Sequence, residues 1–73
     1  MTIDEELAYY HATVVLENLP GNAKAFIRKR LDGYTIVVNV ALGPDEQREA
    51  ILHELEHIRR GDLFNTDYVE YAF

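Results

Sequence analysis

Ile3, Leu7, Tyr10 and Val14 are spaced three and four residues apart, the period of one helix face, and predict a helix over residues 3–18. Its start is marked twice. Thr2 with Glu5 three places on forms a capping box, and Asp4, Glu5 and Glu6 suit the positive end of a helix. Leu19-Pro20-Gly21-Asn22 then stops it, because proline cannot continue a helix and Gly-Asn favours a turn.

From Lys24 to Val40 the period drops to two. Asp32-Gly33 supplies the central pair of a type I′ turn, so the segment reads as a β-hairpin. With Leu31 opposite Tyr34, one face carries Ala25, Ile27, Leu31, Tyr34, Ile36, Val38 and Val40 and goes to the core. The other face carries Lys24, Arg28, Arg30, Thr35 and Asn39 and reads as a solvated basic surface that discourages edge pairing. Lys29 alone falls on the apolar side, where its stem must reach outward at the sheet edge.

A second helix opens at Gly43-Pro44-Asp45-Glu46 and runs to Arg60, with Gly61 as its left-handed cap and Arg59 and Arg60 at the negative end. Ile51, Leu55 and Ile58 form its buried stripe. The remaining residues, 63–73, are rich in aromatics and acids and suggest a short helical turn from about Asp67. The fold class expected is α+β: an N-terminal helix, a hairpin or small antiparallel sheet, a long second helix and a short C-terminal turn or helix, in one domain spanning residues 1–73.

Composition narrows the chemistry. At 73 residues the chain is near the size at which an apolar core alone barely offsets chain entropy, so a bound metal would help it. There are no cysteines, which leaves only nitrogen and oxygen ligands. A formal charge of −6 argues against direct nucleic-acid binding. No apolar run approaches the roughly 20 residues of a membrane span, and the acidic start Met1-Thr2-Ile3-Asp4-Glu5-Glu6 is unlike a signal peptide, so the cytoplasm is the expected compartment.

Within the second helix lies His53-Glu54-Leu55-Glu56-His57, an H-E-x-x-H run. Two histidines four apart project from one side of a helix and can reach one ion, while the glutamate after the first is placed to take a proton from a water held there. His53, His57 and Glu54 lie on a face beside the apolar stripe, and Ala50, one turn earlier, leaves room for a ligand. A plainer reading is a charged surface helix held by i, i+4 pairs such as Glu56 with Arg60. A catalytic zinc needs a third protein ligand, and Asp62 and Glu70 are the two candidates; the one that misses the metal can accept the free ring N–H of a ligating histidine. Tyr68 and Tyr71 offer hydroxyls for an oxyanion or simple packing. His11, alone on the first helix, reads as a surface or boundary residue.

The run from Gly43-Pro44-Asp45-Glu46-Gln47-Arg48 through Leu52-His53-Glu54-Leu55-Glu56-His57-Ile58 to Gly61-Asp62, preceded by a strand from Tyr34 to Asn39, resembles the zincin core of ImmA/IrrE-type metallopeptidases. The resemblance covers roughly residues 20–73. It implies a minimal zincin-like fold, zinc on His53 and His57, Glu54 as general base, and a zinc metalloendopeptidase acting on an extended peptide along the sheet edge. It also implies a third ligand on a following helix, best matched by Glu70, although some members carry His or Asp at the position of Asp62. Glu56 departs from the glycine common before the second histidine. By family analogy the partner is a transcriptional repressor. The alternative is a zincin-like binding or regulatory module without turnover, with Phe64, Tyr68, Tyr71 and Phe73 as a homodimer surface.

Overall fold

The computed structural model describes residues 1–61 and, for the backbone alone, residues 69–71. Its elements run α1 (Ile3–Tyr9), β1 (Ala12–Glu17), β2 (Ala25–Arg30), β3 (Gly33–Asn39), α2 (Pro44–Arg60) and β4 (Val69–Tyr71). The strands form one mixed sheet in the order β1-β3-β2-β4. β2 and β3 are antiparallel, whereas β1 runs parallel to β3 and β4 runs parallel to β2. The α+β class is as expected, but the sheet is mixed where an antiparallel one was anticipated.

The helix expected over residues 3–18 is instead two elements. Its capping box is present: the Glu5 N–H donates to Thr2 Oγ1 at 3.2 Å and the Thr2 N–H donates to Glu5 Oε1 at 2.9 Å. The helix nevertheless ends at Tyr9, and His11 turns the chain through a left-handed conformation with φ of 55°. Thr13, Val14 and Val15 are β-branched, lose rotamer freedom in a helix, and find a ladder along β3, with Val14 beside Ile36. Ile3, Leu7, Tyr10 and Val14 all pack against the core as the spacing required. Their spacing fits a short helix followed by a strand as well as it fits one long helix.

The hairpin forms in a register two residues from the one expected. Arg30 pairs with Gly33 and Lys29 with Tyr34, so the connecting residues are Leu31 and Asp32. Neither has positive φ, which rules out the type I′ turn. Gly33 serves a different purpose: a Cβ there would collide with the carbonyl oxygen and Cβ of His11, whose carbonyl accepts the Tyr34 N–H at 3.0 Å. A shift of two preserves the faces, so Ile27, Ile36 and Val38 still point inward and are fully buried. Leu31 moves into the loop and is fully exposed, and Val40 lies beyond the strand at 45 % exposure. Lys29 Nζ sits 4.6 Å from the centre of the Tyr34 ring, a cation–π contact in place of an outward reach.

The face expected to be solvated is only partly so. Lys24 and Arg30 are exposed, but Thr35 and Asn39 are buried alongside Phe26 and Val37. Both polar side chains are bonded: Arg30 Nε donates to Thr35 Oγ1, and Asn39 donates through Nδ2 to the Ala23 carbonyl while its Oδ1 accepts the Ala41 N–H.

α2 covers the inner face of the sheet, where Ala50, Leu55 and Ile58 meet Ile27, Ile36 and Val38 in the core cluster. α1 is fastened to its far end by Arg59 Nη1, 3.2 Å from Glu6 Oε1. The C-terminal turn or helix expected from Asp67 is not what forms at residues 69–71, where Val69 and Tyr71 favour a strand and the edge of β2 accepts one. Phe64 and Tyr68 lie outside the described residues, as does Phe73. Among the described residues no helix is long and apolar enough to cross a membrane.

Candidate metal centre

α2 has the bounds its sequence signals specify. Pro44 occupies the first turn, Gln47 closes the helix start by donating from Nε2 to the Leu42 carbonyl at 2.9 Å, and Gly61 ends it with φ of 70°. The Gly61 N–H then donates to the carbonyls of His57 and Ile58. The motif therefore sits on an uninterrupted helix, and its spacing is set by helical geometry.

Four residues apart, the two imidazoles converge. His53 Nε2 and His57 Nε2 are 3.2 Å apart, with the rings nearly perpendicular at 87°. Two nitrogens bound tetrahedrally to one zinc at the usual bond length lie roughly 3.3–3.4 Å apart. The separation is equally that of a hydrogen bond between the two rings, so the pair is in direct contact on one face of α2. His53 is exposed and His57 half-buried, so the pair is reachable from solvent.

Glu54 is only 5 % exposed. Ala50, Glu54 and Ile58 form an i, i+4, i+8 row, and all three are buried under α2. That spacing was present in the sequence and could have marked Glu54 as inward-facing. A solvated charged helix does not bury its central glutamate, which weighs against the plainer reading of the motif. One part of that reading is nevertheless correct: Glu56 pairs with Arg60 at 2.9 Å and also with Arg59. These pairs occupy the Glu56 carboxylate and link it through Arg59 to α1.

His53 and Glu54 border a groove of about 660 Å³ between α2 and the start of β2. Ala23, Lys24 and Ala25 form its opposite wall, Ala50 its floor, and Glu46 and Glu49 its far end. This wall was not anticipated. Its signal was the turn at Pro20-Gly21-Asn22, which delivers the chain to that position, with the Ala23 N–H bonded to the Pro20 carbonyl.

The other residues considered for the site are placed as follows. Asp62 lies outside the described residues. Glu70 is on β4, where the register sets it beside Arg28, so the segment carrying it is a strand and not the helix implied by the resemblance. Tyr71 is on the same strand, beside Lys29. His11 lies away from the pair, lining a separate concavity with Thr13, Arg28 and Arg30. Among the described residues no group of three or more His, Asp or Glu side chains converges.

What fold and site define is a small α+β domain bearing a two-histidine donor pair beside a buried glutamate. Compared with protein-family models, curated proteins and solved structures, the chain matches none of them.

Proposed function

We propose that the protein is a zinc-dependent peptide hydrolase of minimal size, with His53 and His57 as metal ligands and Glu54 as general base. The observation that carries this reading is the 3.2 Å approach of the two imidazole nitrogens on a helix whose intervening glutamate is buried at the edge of a groove. The third ligand is proposed to be Asp62, since the register sets Glu70 level with Arg28 on the sheet face away from α2. When bound, zinc supplies Lewis acidity toward the scissile carbonyl. Glu54 takes the proton of the attacking water and passes it to the leaving amine. The groove along Ala23, Lys24 and Ala25 accommodates an extended peptide beside the sheet, and the resemblance to ImmA/IrrE-type enzymes makes a repressor protein the substrate to try first.

A second reading, a metal-held binding module without turnover, is favoured by the exposure of His53, which leaves little wall to exclude water. The two are separated by one series. Purified protein should bind one zinc, His57→Ala should lose it, and Glu54→Gln should keep it while losing hydrolysis of a candidate repressor. Retained cleavage by Glu54→Gln removes the proposed mechanism, and failure of the parent protein to take up zinc removes both readings.

A further inference from the structure

The sheet face away from α2 carries Thr13 from β1, Arg28 and Arg30 from β2 and Thr35 from β3, and toward the hairpin loop these residues line a concavity of about 640 Å³ together with His11 and Asp32. Its layout follows from the register. Thr13, Thr35 and Arg28 are direct neighbours across three strands, and the row after them is His11, Gly33 and Arg30. Gly33 has no side chain to fill the middle of that row, so the Arg30 side chain crosses it diagonally and donates from Nε to Thr35 Oγ1 at 2.9 Å. Thr35 is only 6 % exposed, and the bond to it holds the guanidinium over β3. Arg30 itself is exposed, and among the described residues its Nη1 and Nη2 make no hydrogen bond or ion pair. Arg28 is engaged otherwise: its guanidinium lies 5.6 Å from the centre of the Phe26 ring, and the register puts Glu70 beside it.

We propose that this concavity binds a small molecule through one oxyanion head group, a carboxylate or a phosphate, with Arg30 as the anchor. A guanidinium presents its terminal N–H groups as a planar fork that matches two oxygens of such a group. A fork already held through Nε loses less freedom on binding than a free side chain does. The Thr13 hydroxyl, next to Thr35, supplies a neutral donor on the β1 side. The two carboxylates of the lining are placed differently. Glu17 lies roughly 13 Å beyond Thr13 along β1, clear of the anion. Asp32 sits in the hairpin loop beside Arg30, where it can accept from an ammonium or hydroxyl group of the same ligand. Both acids repel any further negative charge, so the ligand carries one anionic group and is not a polyanion such as a nucleic-acid strand. The site and the His53–His57 pair lie on opposite sides of the sheet, and neither assignment depends on the other.

Titration of the full chain with inorganic phosphate, and separately with acetate, at an ionic strength held constant with sodium chloride, tests this by two-dimensional NMR. Saturable shifts of the Arg30 Nε–H signal and of the Thr13 and Thr35 amides are expected with at least one of the two, and the tighter binder identifies the head group. Arg30→Lys keeps the charge but loses both the fork and the bond to Thr35, and should weaken binding about tenfold. Arg48→Gln, which removes a positive charge from α2 across the sheet, should leave it unchanged. A parent protein that shows no saturable shift with either anion overturns the proposal. So does an Arg30→Lys variant that binds as tightly as the parent, or an Arg48→Gln variant that loses as much affinity as Arg30→Lys.

Discussion

At the scale of single residues, one half-buried position, one buried and one exposed make measurable commitments. Gly33 is held by its closeness to His11, since an added methyl would meet backbone and not a flexible side chain. Gly33→Ala should therefore cost about 2–4 kcal/mol in denaturant unfolding, through displacement of the β1 end from β3. Leu55, 1 % exposed at the centre of the core, should lose about 2–5 kcal/mol on truncation to alanine, measured in the same way. Glu5 is exposed, yet the Thr2 N–H, and then its hydroxyl, hold its carboxyl below the ordinary carboxylate range. A group with a depressed folded-state pKa stabilises above its unfolded value, and that contribution disappears as pH falls through the folded one. The α1 cap should thus persist through mild acid and fray only below it, which the Glu5 carboxyl shift in an NMR titration would report as a midpoint under the ordinary value. A midpoint at the ordinary value contradicts the cap.

At the scale of elements, α2 was legible from end to end because each boundary had a local cause: Pro44 at the start, Gly61 at the end, and an apolar stripe between. The pairing of His53 with His57 came with it, since helical spacing alone fixes that geometry. β1 was not legible. Ile3, Leu7, Tyr10 and Val14 face inward under either assignment, and what selects a strand after Tyr9 is the ladder offered by β3, a partner distant in sequence. The hairpin faces were readable because a register slip of two leaves them unchanged, whereas the turn was misassigned because Gly33 answers to His11 and not to its own φ. The third ligand stayed open for a related reason: nothing local in residues 62–70 fixes where their acids end up. Gly61→Ala should destabilise α2 by about 1 kcal/mol, with thermal unfolding as the measure; no atom crowds the site, so the cost is that of placing a Cβ in the left-handed region.

For the molecule as a whole, the ion-paired chain Glu6–Arg59–Glu56 joins α1 to the turn of α2 that presents His57. Arg59 is half exposed, so Arg59→Ala should change global stability by less than about 1 kcal/mol. The parallel pairing of β1 with β3 has a consequence in time. β2 and β3 are joined by a two-residue loop and can meet early, while β1 must close a loop that spans the whole of β2 before it gains anything from β3. The folding nucleus is therefore expected in the β2–β3 hairpin with α2, and the N-terminal segment joins after the barrier. In stopped-flow kinetics, Ile36→Val should slow folding, whereas Val14→Ala should leave the folding rate nearly unchanged and speed unfolding. The segment that docks last also forms one edge of the sheet, so for part of each folding event a chain presents a β3 margin that is open to any other strand nearby, including β1 of a neighbouring copy.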